Sequence, residues 1–453
     1  MKSILNRINE QRYLISSTLF GILFMFPIMR NAVQSISLMT FLGVSVLFYH
    51  KTFLVRIKDR KLWKIYGILT GFFWFSVLTF LWTTDKVFFF NELRPSIAIA
   101  LVPFVILFFH PTLTQKRKQL AIILFLVSLI IYAFLWFFHH VEGISIYQEI
   151  IAKESPLRDE SFIQQLIYFK DNSFKVWIGG VSERGYELLG KNSFFSHSNY
   201  ISSYYLFGYI LAIYTLIKSR KILYNVIAVI ALLFSLLFLF YLASKLNVFL
   251  FVVFSFGIAF YLLKTTKFRL AFIALIIAIG IFNKSKIMTT YAEIKQWELI
   301  EKTDNNLDEK IFMDYKRTKI YTCALEKLRT NYWFGVGLGD IQNYLDDCLM
   351  TQNHNNPNFD VTIEYNSHSQ FLHFALVGGI LNFLLFLGFF IYLFYSSYLQ
   401  KNKLLFIFTF LIFASCFFEN YLSRIYGVLF FILFITMLPN WSLISTEESI
   451  NKQ

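Results

Sequence analysis

Cysteine occurs only three times in 453 residues, at Cys323, Cys348 and Cys416. That is too few for a disulfide framework or a thiolate metal site. Cys323 and Cys348 share one segment that the charge pattern places outside the cytoplasm, where oxidation is allowed. Spacing alone leaves their pairing open. Proline (7) and glycine (19) are also scarce, and no fixed-period repeat is present. Acidic residues are few, 28 against 42 Lys and Arg, for a net charge of +14. Such a charge would suit nucleic acid if it formed a surface patch. Its distribution excludes that reading.

What the chain has in excess is apolar surface. It is 57% hydrophobic, with 56 phenylalanines and a mean hydropathy of +0.55, where soluble domains lie nearer 45–50% apolar. The excess falls in nearly uncharged blocks of about 17–25 residues, the length that spans a bilayer core. Twelve blocks can be drawn: 13–30, 32–49, 63–83, 93–110, 119–139, 196–217, 222–243, 246–263, 268–283, 369–396, 403–418 and 421–439. The fold class is therefore all-α: a polytopic membrane protein with about twelve transmembrane helices, read as a single integral membrane domain over 1–453. Phenylalanine then reads as a preference for Phe where other proteins use Leu.

Charge orients the spans. With the N-terminus cytoplasmic, alternate segments hold Lys2, Arg7 and Arg12, then 51–64, 116–118, 218–221, 264–269, Lys401, Lys403 and Lys452. These carry 21 basic residues against 4 acidic ones, and the rest of the chain sums to −3. This is the positive-inside pattern. It predicts a multi-pass membrane protein with both termini cytoplasmic. The first block follows Lys2, Arg7 and Arg12 as a signal peptide would, but ends at Pro27-Ile-Met-Arg30 without a small-x-small site, so it reads as a retained helix.

Two long segments face outward, 140–195 and 284–368, the latter between the ninth and tenth spans. In the second, Arg317, Ile320, Tyr321, Ala324, Leu325 and Leu328 recur at helical spacing. Asn331 and Gly335-Val-Gly-Leu-Gly339 then make a turn, and a second short helix is expected near 340–350. The segment thus reads as a large helical external loop.

Several charges break the positive-inside pattern: Arg30, Lys86, Arg94, Lys245 and Arg424 lie at outer helix ends. They either bind an anion at the interface or snorkel to headgroups. Arg317 lies on the apolar stripe of its own helix, where its fork suits a carboxylate or phosphate; an ion pair within the loop is the alternative. His368 stands where the loop meets the tenth span. A helix N-terminus disfavours imidazolium there, leaving a neutral ring able to accept a proton. It is either a catalytic base or a structural histidine.

These residues carry a likeness. Arg317-Thr-Lys-Ile-Tyr-Thr-Cys-Ala-Leu, Asn331-Tyr-Trp-Phe-Gly-Val-Gly-Leu-Gly-Asp340, Asn366-Ser-His-Ser-Gln-Phe-Leu372 and Gly378-Gly379 together resemble the signature region of the O-antigen ligase / O-antigen polymerase superfamily. Ser369 departs from the Asn usual after the His. Ser196-His197-Ser-Asn-Tyr200, Ala243-Ser-Lys245 and Glu419-Asn-Tyr-Leu-Ser-Arg424-Ile-Tyr-Gly427 are similar to further family elements, in family order over roughly 60–440. The resemblance implies a C-type membrane glycosyltransferase that is metal-independent and inverting, with no cofactor. Its partners would be an undecaprenyl diphosphate-linked glycan donor, a lipid A–core or glycan acceptor, and membrane lipids. His368 and Arg317 would be catalytic; Lys245, Arg94, Arg424, Arg30 and His197 would bind substrate. Ligase and polymerase share this chemistry, and the ligase is the favoured reading. A transporter is the non-enzyme rival. The sequence shows neither repeated hydropathy halves nor the paired broken helices of many transporters.

Overall fold

The computed structural model describes residues 2–110, 113–154, 198–242, 244–262, 309–352 and 366–441. Among them every regular element is helical: α1 Lys2–Leu23, α2 Asn31–Arg56, α3 Arg60–Leu78, α4 Lys86–Ser96, α5 Ala98–Phe109, α6 Gln115–Glu154, α7 Ser198–Lys218, α8 Ile222–Leu242, α9 Lys245–Leu262, α10 Glu309–Thr330, α11 Ile341–Gln352, α12 Gln370–Leu399, α13 Lys403–Phe418 and α14 Ile425–Met437. Seven stretches are long and apolar enough to cross a membrane, and three shorter apolar helices accompany them. With α1, these coincide with eleven of the twelve expected spans; the twelfth, 268–283, lies outside the described residues, as do 155–197 and 284–308. The chain is a multi-pass membrane protein.

Several boundaries differ from expectation: α1 covers Lys2–Leu23 rather than 13–30, α6 runs on to Glu154 rather than ending at 139, and two further shifts have a visible cause. The fourth span begins at Lys86 rather than 93, as α4 followed directly by α5, because Asp85 accepts from the Phe88 amide (2.8 Å) and starts the helix early. The last span begins at Ile425 rather than 421, since residues 419–424 are held as a loop by side-chain hydrogen bonds described below.

The helices form two compact units. One comprises 1–50 and 112–248. There α7 packs on α8, and α6 packs on α1, α7 and α8. Phe26 meets Phe125 and Tyr204 (5.8 and 5.2 Å between centroids). Tyr205 stacks on Phe238 (4.5 Å). Arg117, counted above as one of the loop cations, is 4% exposed. It donates to Ser17 Oγ (2.7 Å) and Tyr49 Oη (3.1 Å), tying α6 to α1 and α2.

The other unit comprises 51–111 and 249–453. Helix α12 packs on α3 and α13, and α14 on α4, α5 and α13. Its interior is largely phenylalanine. Phe72 of α3 meets Phe374, Phe386 and Phe389 of α12 (5.1, 5.1 and 5.4 Å), and Phe408 of α13 meets Phe430 and Phe434 of α14 (5.3 Å each). Lipid tails are as apolar as leucine, so helices in a bilayer associate through packing rather than through water exclusion. Edge-to-face rings contribute about 0.5–1.5 kcal/mol per pair beyond area, which gives the abundant phenylalanine a physical use.

Candidate active site

The second unit carries three loops at the ends of α3, α12 and α14 that lie away from the basic residues 51–64, 401 and 403. One is the glycine-rich turn 335–339 after α10. The structure shows what the glycines are for. Helix α12 is broken at Gly378 (φ −133°, ψ 23°) and Gly379 (φ 64°, ψ −160°). The break frees backbone groups inside an apolar helix, and an unmatched group there is costly. The turn supplies the partners. Val336 and Gly337 amides donate to the Leu376 and Val377 carbonyls (2.8 and 3.0 Å), and Ile380 donates to the Tyr332 carbonyl (2.8 Å). A Cβ on Gly335 would strike the Leu376 carbonyl, and one on Gly379 would strike the Trp333 backbone. The sequence shows no paired broken helices; among the described residues α12 carries this single break, and the chain's own backbone fills it.

The far side of the turn is clamped by Asp340. Its carboxylate accepts from the Thr84 amide (2.8 Å) and hydroxyl (2.7 Å) and from the Asp85 amide (2.8 Å). Burial alone would raise its pKa. The donated backbone bonds, the Thr84 hydroxyl and nearby Lys86 outweigh that and lower it. Thr79 Oγ1 accepts from the Leu338 amide (3.0 Å). Lys86 itself donates to the Phe80 carbonyl and covers the Phe80 ring (4.1 Å), which accounts for this cation without a substrate.

Helices α10 and α11 pack beside the turn. Ile320, Cys323 and Ala324 are buried against Leu338, Ile341, Leu345 and Leu349, and a disulfide joins Cys323 to Cys348 (Cα–Cα 6.0 Å). The buried face is centred on Ile320 and Ala324, so Leu325, expected on the apolar stripe, is turned away and 55% exposed. Arg317 lies in α10 one turn before Tyr321; its side chain is outside the described set.

His368 occupies the second loop. It has φ 47°, a left-handed conformation unusual for a residue with a Cβ. The Asn366 side chain accepts from its amide (2.8 Å), and the Tyr321 hydroxyl donates to its carbonyl (3.4 Å). Ser369 caps α12 through Leu372 (3.4 Å). Ser and Asn are comparable caps, which explains how Ser serves where the family pattern has Asn. Buried Ser367 donates to Asn420 Oδ1 (2.9 Å), and Gln370 Oε1 accepts from the Leu422 amide (2.7 Å). The His368 loop is thereby bonded to the third loop, 419–424, which ends at Arg424. Ser96 in turn donates to the Leu422 carbonyl (3.2 Å), bringing in the last turn of α4 and Arg94. Arg94 and Arg424 are both exposed. Neither makes a side-chain hydrogen bond or ion pair among the described residues. The structure thus assembles the segments bearing His368, Arg424 and Arg94. Asn420, Gln370, Asn366 and Tyr321, which do the assembling, lie within the motifs read from the sequence but had no role assigned there.

The first unit holds the other residues. Lys245 opens α9 and is exposed. Beside it, Asn247 Nδ2 donates to Ser244 Oγ (3.0 Å) and the Asn199 carbonyl (3.3 Å), and Ser203 donates to Asn247 Oδ1 (3.1 Å). This buried network joins the Ala243-Ser-Lys element to the Ser-Asn-Tyr200 element, a link that spacing could not show. His197 lies outside the described residues. Arg30 is exposed just ahead of α2, in a turn held by Gln34, which donates to the Phe26 and Met29 carbonyls (3.0 Å each).

Exposed arginines on segments bonded to the loop of a half-buried histidine can hold an anion while the ring takes a proton from a neighbouring hydroxyl. Residues 228–387 match the family model described as O-antigen ligase. This supports the O-antigen ligase/polymerase superfamily and, with it, a glycosyltransferase-type enzyme acting on lipid-linked glycans. The matched stretch contains Lys245, Arg317, the glycine turn, His368 and the Gly378-Gly379 break. No curated protein matches the chain.

Proposed function

On the premise of that family match, we propose that the chain transfers a glycan from an undecaprenyl diphosphate carrier to a sugar hydroxyl of lipid A–core at the periplasmic face of the bacterial inner membrane. The reading is carried by one observation: the Ser367–Asn420 and Gln370–Leu422 bonds hold the His368 loop to the loop that ends in Arg424. The positive-inside count supports the periplasmic placement, and the Cys323–Cys348 disulfide suits an oxidising compartment.

In the proposed step the acceptor oxygen attacks the anomeric carbon from the face opposite the diphosphate. The carbon–oxygen bond to the diphosphate breaks, the new glycosidic bond forms, and the hydroxyl proton passes to the His368 imidazole. Negative charge grows on the leaving diphosphate, so fixed cations there lower the barrier. Arg94, Arg424 and Arg317 are assigned that role, and Lys245 and Arg30 are assigned as further substrate contacts. No metal ion or cofactor takes part in this step.

Gene deletion followed by lipopolysaccharide electrophoresis tests it. Loss of all polymer from an intact core is the expected result. A core bearing a single repeat unit would instead make the protein a polymerase of carrier-linked repeats. An unchanged ladder would overturn both.

A further inference from the structure

The turn that fills the α12 break also presents an apolar tip. Tyr332, Trp333 and Phe334 are 50%, 62% and 57% exposed. They follow the last turn of α10, where exposed polar residues surround them, so a wholly aqueous setting would leave three large rings in water. Beside them lie Phe80, Leu81 and Trp82; Phe334 meets Trp82 (6.0 Å), which meets Phe75 of α3 (6.4 Å).

The depth of this tip can be counted from the inner ends of two helices. The Ile380 amide bonds to the Tyr332 carbonyl. From Ile380 to the end of α12 at Leu399, just before Lys401 and Lys403, is about 30 Å at 1.5 Å per residue. The stretch Arg60–Leu81 has 22 residues, about 33 Å by the same rise. Both counts reach the thickness of a bilayer's hydrocarbon core, about 30 Å. Two helices with different connections therefore put Tyr332–Phe334 and Phe80–Trp82 at one level, where hydrocarbon gives way to headgroups. Tyr and Trp concentrate at that level because their rings are apolar and their polar atoms wet.

Two further features select lipid as the occupant. The patch is continuous with the flanks of membrane-crossing helices, where Trp74, Leu78, Leu384 and Leu385 are exposed. It is also flanked by exposed cations, Lys86 next to Phe80 and Arg329 four residues before Trp333, which suit phospholipid phosphates.

We infer that Tyr332–Trp333–Phe334, with Phe80–Trp82, is an interfacial anchor that docks α10 and α11 onto the phospholipid surface. The loop carrying Arg317 is then held at a set height above the bilayer by its own aromatic tip, as well as by the α12 break.

The test uses the full-length protein in nanodiscs of phosphatidylethanolamine and phosphatidylglycerol. A nitroxide is placed singly at Trp333→Cys and Phe334→Cys, in a Cys416→Ser background with the Cys323–Cys348 disulfide intact. Reference labels go at Leu384→Cys on the α12 flank and Glu326→Cys on α10. Collisions with oxygen should exceed those with a water-soluble nickel complex several-fold at 333 and 334, at a depth shallower than 384. Nickel collisions as frequent as at 326 would overturn the anchor by placing the tip in water. Exclusion of both reagents would overturn it by placing the tip under protein. A second measurement needs no label: bromine-bearing phospholipids should quench the wild type more than Trp333→Phe, and equal quenching overturns the proposal.

Discussion

The hydroxyl of Ser367 donates to the side-chain carbonyl of Asn420 across 53 residues of sequence, and both groups are buried. The bond fixes the residue before His368 against the loop that leads to Arg424. Removing the Ser367 hydroxyl breaks this buried bond, at a cost of about 1–3 kcal/mol. Ser367→Ala is expected to slow glycan transfer roughly tenfold or more, at that cost, while leaving donor binding within about twofold. Ser367→Thr, which keeps the hydroxyl, should recover most of the rate. Equal rates for the Ala variant and wild type would show that the bond does not position His368.

The break in α12 makes a sharper stability test. Gly379 has φ 64° and ψ −160°, a region open to glycine almost alone, and an added Cβ would meet the Trp333 carbonyl. Gly379→Ala is expected to cost about 2–4 kcal/mol in strain and lost packing, read as a fall in thermal midpoint in detergent. Gly388 lies in the same helix with nothing within 4 Å of a built Cβ. Gly388→Ala should leave the midpoint unchanged or slightly raised. Similar losses at both positions would mean that the break is not specifically required.

How much of this could be read from the sequence depended on the range of the physics. Spans are local: hydropathy over about twenty residues is set by composition, so the blocks found their helices. The Asp85 cap shifted the α4 boundary because four polar residues between Lys86 and Arg94 masked an apolar run. The α12 break was hidden for a different reason. Gly378-Gly379 inside an apolar stretch suits a continuous span as well as an interrupted one, and the choice is made by the distant turn at 335–339. The roles of Asp340, Asn247 and Asn420 depend on partners 44 to 256 residues away, which no spacing rule reaches. His368 and Arg424 were legible as unusual residues; the loop bonds that bring their segments together were not.

Asp340 gives a pH dependence. Its pKa in the folded protein is lowered from 3.8. A depressed carboxylate pKa stabilises the fold above its unfolded value and loses that contribution as pH falls through the folded value. The clamp on the glycine turn is therefore complete at neutral pH and fails only in acid, below about pH 3.8. Asp340→Ala should resemble the acid state at neutral pH, costing about 2 kcal/mol for the lost charge-assisted bonds, with faster amide hydrogen exchange in 335–339. Unchanged exchange in the variant would show that the clamp does not hold the turn.

The cations assigned to the diphosphate are separable by charge and shape. Arg317→Ala is expected to abolish detectable transfer with expression intact, and Arg424→Ala and Arg94→Ala to lower it by about tenfold or more each, as for lost electrostatic stabilisation of a leaving group. Lys245→Arg should retain activity, because arginine keeps the positive charge and can donate to the same phosphate oxygens. Wild-type transfer by Arg317→Ala, measured with purified donor and acceptor, would remove that residue from the mechanism.

His368 joins the chemical assignment to an observed strain. Its φ of 47° costs an L-residue about 1–2 kcal/mol, and such strain persists where surrounding structure enforces it, commonly at functional sites. Here the Asn366 side chain and the Tyr321 hydroxyl hold its backbone. If the ring is the base, His368→Ala should slow transfer by roughly two to four decades with little change in donor binding, since alanine removes no partner of the diphosphate. The wild-type rate should fall in acid, because only the neutral ring accepts a proton. His368→Gln keeps a hydrogen-bonding group but cannot take that proton, and should be as slow as the alanine variant. His368→Gly removes ring and strain together. It should raise the thermal midpoint, by about the 1–2 kcal/mol of relieved strain, while remaining inactive, which separates loss of chemistry from loss of fold. Near-wild-type transfer by the Gln variant with an unchanged pH profile would reduce His368 to a positioning residue and leave the barrier to the cations, with Glu364, beyond the described residues, as the next candidate base.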